Sequence, residues 1–156
     1  MVGIKDTMLF IYVKRGRQHM QGTEKTEGIT LDEIRERFSQ DRFATVNGAV
    51  IDAVDEGYAQ CSMQLTETHR NALGAVMGGA IFTLADFAFA VASNWNKSPQ
   101  VSLNASINFL GRAKGDKLIA RAQKIKEGRT TCYYEVKVSD ESGNQVAHMT
   151  SGGFVL

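Results

Sequence analysis

The sequence predicts an α+β domain: a curved antiparallel sheet of five or six strands wrapped around one long apolar helix, with a short amphipathic helix ahead of it. Three observations carry this. The stretch Ala72 to Asn94, "ALGAVMGGAIFTLADFAFAVASN", contains a single charged side chain, Asp86, so it reads as a helix buried on nearly all sides. The segments around it alternate apolar and polar residues with the period of half-buried strands. One strand pair precedes the helix and the remaining strands follow it, an order that lets a sheet close around the helix as a second layer.

The elements follow in chain order. Residues 1–28 differ from the rest and form an extension, with "QGTEKTEG" (Gln21 to Gly28) as a polar linker. Within it, "MLFIYV" (Met8 to Val13) reads either as part of a peripheral extension, the reading preferred here, or as an added edge strand. Met20 is an alternative start. The domain proper is expected over 29–156. Thr30 to Phe43 opens with a capping box, Thr30 as N-cap and Glu33 three residues on. Leu31, Ile34 and Phe38 form one apolar stripe, so a short amphipathic helix is expected there. Two strands then flank the turn Asp55 to Gly57, the second placing Ala59, Cys61, Met63 and Leu65 on one face. The apolar helix is expected from about Met77 to Trp95, ended by "NKSPQ". Beyond it, "VSLNASINFL" sets Leu103, Ala105, Ile107 and Phe109 against Ser102, Asn104, Ser106 and Asn108. Two more strands meet at Gly128-Arg129, and a last one follows the turn "DESG". Short connections throughout this half predict an antiparallel meander.

Composition narrows the class. The 156 residues suffice for one ordinary domain, 43% hydrophobic and 22% charged. A net charge of +1 provides no field toward nucleic acid or an anionic membrane. The two cysteines, Cys61 and Cys132, form no CxxC, so no metal site is expected, and both read as reduced core residues of a cytoplasmic protein. The apolar helix is long enough to span a bilayer, but Asp86 near its centre would cost roughly 2.5–3.5 kcal/mol there. No second such segment follows. No secretory signal is expected either, because the basic "KRGRQH" comes after the apolar run rather than before it.

The loop before the helix concentrates unusual residues: "HRNALGAVMGG". A helix that starts near Gly78 leaves free N–H groups at its positive end, an arrangement suited to an anion or a developing oxyanion. Asp86 lies just over two helical turns further on and cannot reach the Gly78 amide of its own chain. Cooperation between the two would therefore need a symmetric dimer, with helix start and carboxylate supplied by different subunits.

"HRNALGAVMGGAIFTLADFAFAVASN" resembles the signature of hot-dog-fold acyl-CoA thioesterases of the phenylacetate-degradation, or PaaI-like, family. His69, Asn71, Gly74, Gly78, Gly79, Phe82, Leu84, Ala85 and Asp86 match in register. "VSLNASINFLGRAKGDKL" looks like the family's next strand and "EGR", Glu127 to Arg129, like its following turn. The resemblance covers about Glu27 to the C-terminus. Two positions depart from it. Met77 stands where the family usually has histidine, and a thioether has no proton to donate to a thioester oxygen. Arg112 stands where relatives often have proline.

The resemblance implies hydrolysis of a small-to-medium acyl- or aryl-CoA to free acid and coenzyme A, without metal or other cofactor. Asp86 would be general base or nucleophile, the Gly78 N–H would hold the oxyanion, Asn71 would hold the carbonyl or the attacking water, and Ser102 would position water. Met77, Gly79, His69, Phe82, Arg112 and Arg129 are the expected substrate contacts, and Lys114 and Lys126 could join the two arginines at the coenzyme A phosphates. Plainer roles fit the same residues: a turn for Asn71, tight packing for Gly78, a cap for His69, a solvent-facing hydroxyl for Ser102, core for Phe87, Phe89 and Trp95. The expected partners are the acyl-CoA and further copies of the chain, as a homodimer and a dimer of dimers, with no nucleic acid and no membrane. A protein that binds acyl-CoA with weak or no turnover is the alternative, and Met77 is the feature in its favour.

Overall fold

A computed structural model describes residues 28–156; the expected extension, including Met8 to Val13, lies outside the described residues apart from Gly28. Helix α1 (Leu31–Phe38) begins with the capping box read from the sequence. The Thr30 Oγ1 accepts from the Glu33 N–H at 3.3 Å and the Glu33 carboxylate accepts from the Thr30 N–H at 2.8 Å. Ile34 and Phe38 turn inward. The helix stops five residues short of the expected Phe43. Ser39 caps it, with its hydroxyl donating to the Glu36 carbonyl, and the polar "SQD" breaks the ladder because such side chains compete with helical hydrogen bonds. A separate short helix, α2 (Arg42–Val46), follows.

Strands β1 (Ala49–Asp55) and β2 (Tyr58–Gln64) form the expected hairpin. Gly57 takes φ +66°, the left-handed conformation this turn demands. Ala59, Cys61, Met63 and Leu65 are all buried, as the alternation requires. Helix α3 (Gly78–Asn94) runs through the centre, flanked by Met77 and Trp95. Leu84, Ala85, Ala88, Val91 and Ala92 are fully buried beneath the sheet. The small side chains among them let backbone and sheet approach closely.

The sheet has six strands in the order β1-β2-β4-β5-β6-β3, with every pairing antiparallel. Strands β4 (Lys117–Glu127), β5 (Thr131–Asp140) and β6 (Gln145–Val155) are the expected meander. Strand β3 (Gln100–Phe109) departs from it: instead of joining its successor β4, it crosses to the far side and pairs with β6. Bulges interrupt β1, β3 and β4, and such insertions bend and coil a sheet. At the β5–β6 turn the buried Asp140 carboxylate accepts from the N–H groups of Lys114, Ser142 and Asn144. Those backbone donors hold its carboxyl down at about 2. Among the described residues no helix is long and apolar enough to cross a membrane.

Candidate active site

The loop between β2 and α3 is a tight excursion closed at its base. The Met77 N–H donates to the His69 carbonyl at 2.8 Å, Arg70 and Val76 form an antiparallel bridge, and the Asn71 N–H donates to the Ala75 carbonyl at 2.8 Å. Gly74 turns the tip with φ +73°. Asn71 Oδ1 accepts from the N–H groups of Leu73 and Ala75 at 3.0 and 3.1 Å. Its oxygen is therefore spent on the turn, while its Nδ2 makes no hydrogen bond among the described residues and faces solvent on an exposed residue.

His69 anchors this loop from beneath. It is 6% exposed. Its Nδ1 accepts from the Thr66 N–H at 2.9 Å, so the proton sits on Nε2, which donates to the Asn47 carbonyl at 2.9 Å. Both ring nitrogens are occupied. The expected substrate contact at His69 is corrected accordingly: the ring ties the loop to the end of α2 and leaves no ring nitrogen for a ligand.

The tie-down sets where α3 starts. Met77 has extended backbone and caps the helix without any side-chain hydrogen bond. The first helical N–H groups to find acceptors are those of Ala80 and Ile81, both to the Met77 carbonyl; among the described residues the Gly78 and Gly79 N–H groups have none. Two unspent donors thus stand at the positive end of a 17-residue helix. Phe109, at the end of β3, covers one side. Its Cζ stands 3.0 Å from where a side chain on Gly78 would begin, and Met77 Cε stands 3.2 Å from the same position on Gly79. A side chain at either glycine fits only if Phe109 or Met77 gives way by a few tenths of an ångström, and neither glycine has the positive φ that would favour it.

Asp86 lies on the side of α3 that the sheet leaves uncovered, in line with Gly79, Phe82, Thr83 and Ala90, all partly or fully exposed. Its carboxylate makes no hydrogen bond and no ion pair with any described residue. Burial against apolar neighbours raises its carboxyl above the ordinary carboxylate range, and the negative Asp41, just ahead of α2, raises it further. Asp86 is eight residues past Gly78, about 12 Å along the helix axis. The two candidate groups are therefore separate within one chain.

Ser102 gains a definite direction. Simple alternation puts it on the face opposite Ala105, Ile107 and Phe109. The bulge at Leu103 inserts one residue, so Ser102 pairs with Gly153 while Ala105 pairs with the buried Ser151, both on the inner face. A side chain at Gly153 would meet Phe89 of α3 at 3.2 Å, which fixes that face as the one toward the helix. The hydroxyls of Ser102 and Ser151 lie 3.4 Å apart.

The two arginines do not converge. Arg112 follows the end of β3, whereas Arg129 lies in the β4–β5 turn beside its start, where the Val155 N–H donates to Thr130 and Val155 pairs with Gln100. Ten residues of strand separate them, about 30 Å. Both are exposed. A cavity of about 320 Å³ opens at the Arg129 end, lined among others by Leu103, Lys126, Gly128 and Tyr133; it includes neither Asp86 nor Gly78. Phe87 and Phe89 are core, packed edge-on against Phe38 and Tyr134. Among the described residues no group of three His, Cys, Asp or Glu side chains is placed to hold a metal ion. Sequence reasoning missed Asp41, which carries no motif, and the position of Phe109 over Gly78, which depends on β3 crossing the sheet.

Comparison with known proteins agrees with this architecture. The family model described as Thioesterase superfamily matches residues 73–147. The acyl-coenzyme A thioesterase PaaI of Escherichia coli is 33% identical over 111 residues, covering 70% of this chain and 79% of that protein. A variant of the phenylacetic acid degradation protein PaaI from Thermus thermophilus superposes with a TM-score of 0.70 at 31% identity, over 74% of this chain and all of that one. A hypothetical thioesterase from Streptococcus pneumoniae, solved with coenzyme A, gives a TM-score of 0.70 at 25% identity, over 76% of this chain and 96% of that one. That protein has also been solved with an Asp and a Thr each replaced by Ala, and these two positions are as far apart in sequence as Asp86 and Ser102 are here. The chain belongs to the thioesterase superfamily, in its PaaI-like, hot-dog-fold branch.

Proposed function

We propose that this protein hydrolyses acyl-CoA thioesters at a site shared between two copies of the chain. The observation that carries the reading is Asp86: a carboxylate without hydrogen-bond or ion partner among the described residues, part-buried in an otherwise apolar helix, its pKa raised by burial and by Asp41. The PaaI homologue's activity and the coenzyme A held by the pneumococcal relative support acyl-CoA as the substrate class.

The proposed dimer forms along β3. This edge strand is ten residues long, carries no charge, and exposes Val101, Leu103 and Phe109. A long, uncharged, apolar edge needs a cover. Antiparallel pairing with the β3 of a second copy would supply it. Because α3 begins beneath Phe109 and ends tied to Gln100 through Asn94, a twofold axis through β3 turns the start of one helix toward the middle of the other. It also brings Arg129 of one protomer to the Arg112 end of its partner.

In that arrangement the thioester carbonyl accepts from the Gly78 N–H of one protomer, which carries the oxyanion as it forms. Asp86 of the other takes a proton from the attacking water and returns it to the coenzyme A thiolate as the C–S bond breaks, or attacks the carbonyl itself, expelling the thiolate and leaving a mixed anhydride that water opens to the free acid. Ser102 holds the water from the inner face of the sheet, and the Asn71 Nδ2 is the free donor left on the loop. The adenosine phosphates lie near Arg129 and Lys126 in this reading. A second reading, acyl-CoA binding with slow turnover, is favoured by Met77 alone. Steady-state hydrolysis of acyl-CoA by wild type and Asp86→Asn decides between them: turnover lost in the variant supports the first, and equal inertness of both supports the second.

A further inference from the structure

Two apolar side chains stand beside the two glycines whose amides are unspent at the start of α3. Phe109 stands against Gly78 and Met77 against Gly79, at 3.0 and 3.2 Å from the positions a side chain would occupy. Within a single chain both are about half exposed, at 55% and 49%. Phe82, one turn up the same side, is 36% exposed. Polar groups nearby are already engaged. The Thr83 hydroxyl donates to the Gly79 carbonyl at 2.8 Å, Asn71 Oδ1 is held by the loop, and both nitrogens of His69 are taken. The amides therefore sit beside a collar of hydrocarbon and thioether, and the free Asn71 Nδ2 is taken by the carbonyl or the attacking water in this reading.

We propose that Met77, with Phe109 opposite, is the specificity-determining residue of this site and selects thioesters whose acyl group is apolar next to the carbonyl. The inference rests on the reading of the Gly78 amide as the carbonyl's donor. A carbonyl oxygen seated on that amide puts the first carbons of the acyl group within contact of the collar. A hydroxyl or carboxylate on those carbons would be desolvated against Met77 and Phe109 without a partner, which disfavours it strongly. An alkyl or aryl group there replaces water on exposed apolar surface, a favourable exchange. Acetyl is too short to fill the collar. The position where a histidine would offer a proton thus offers contact area instead.

The test compares kcat/KM for hexanoyl-, phenylacetyl-, 3-hydroxyhexanoyl- and acetyl-CoA in wild type, Met77→Leu, Met77→Ala and Met77→His. Wild type should favour hexanoyl or phenylacetyl over acetyl and over the hydroxylated chain by at least about tenfold. Met77→Leu should keep that ratio. Met77→Ala and Met77→His should each lower it by about five- to tenfold. A wild-type preference for the hydroxylated or acetyl thioester overturns the proposal, as does a ratio unchanged in both Ala and His variants. If wild type hydrolyses none of the four, the hydrolase reading fails and the collar is read separately. The same ratios are then measured as Kd by calorimetry with the non-hydrolysable ketone analogues, in which CH₂ replaces the thioester sulfur. The same loss of discrimination in the Ala variant supports the collar, and its absence overturns it.

Discussion

Replacing Asp86 with Asn keeps the size and shape of the side chain and removes only the charge and the basic oxygen. No described residue donates to that carboxylate, so the substitution breaks no bond within the chain. Loss of a positioned general base costs about 10²–10⁴ in rate, equal to about 3–5 kcal/mol of barrier. Stability should move the other way. The folded carboxyl sits above its ordinary value of 3.8 because burial and Asp41 both disfavour its charge. Its ionised form therefore weakens the fold at pH 7, and that penalty fades as pH falls through the raised value and is gone below 3.8. The Asn variant carries no such penalty at any pH. Expected, then, are a kcat at least a hundredfold lower by release of coenzyme A thiol, a Tm at pH 7 equal to or above wild type, and a Tm gap that closes in acid. Wild-type kcat/KM should rise with pH through a point above the usual carboxylate range. A variant within about threefold of the wild-type rate, or one several degrees less stable, would refute the assignment.

Gly78→Pro deletes one N–H at the first helical position, where proline's fixed φ is favoured and the extended Met77 backbone tolerates it. The expected loss is about 10²–10³ in kcat, with Tm within a few degrees of wild type as Phe109 gives way slightly. Ser102→Ala should lower kcat about ten- to a hundredfold with little change in KM, measured by the same thiol release. His69→Ala orphans the Thr66 N–H and the Asn47 carbonyl, so thermal denaturation should record a loss of about 2–3 kcal/mol. Asp140→Ala should lower Tm at pH 7 and flatten its acid dependence, because wild type loses this contribution as pH falls from 3.8 toward about 2.

Much of the fold was legible because local chemistry and global packing agree. The Thr30–Glu33 box, the burial of Ala59, Cys61, Met63 and Leu65, and the limits of α3 follow from caps, period and breakers alone. Strand order was not legible. A short connection from β3 toward β4 reads as a meander, yet β3 pairs with β6, a choice made by tertiary pairing and not by the loop. The bulge at Leu103 was hidden too, since "SLNAS" alternates perfectly and only the partner strand shows which residue is extra. That one inserted residue puts Ser102 on the helix-facing side of the sheet, where it remains exposed at the edge. At the candidate site, the sequence pointed to Asp86 and Gly78 but could not tell a histidine that binds from one that braces. The distinction lies in Asn47 and Thr66, remote or unremarkable in sequence, and in the burial of the ring.

Mixed dimers test whether the Gly78 amide of one protomer and Asp86 of another complete one site. Subunits carrying Asp86→Asn and subunits carrying Gly78→Pro, each inactive alone, are co-expressed with different tags and the heterodimer is purified through both. A shared site leaves one of its two sites fully intact, so the heterodimer should regain about half of the wild-type activity. A heterodimer as inactive as its two parents, or a protein that runs as a stable monomer while hydrolysing acyl-CoA, would rule the shared site out.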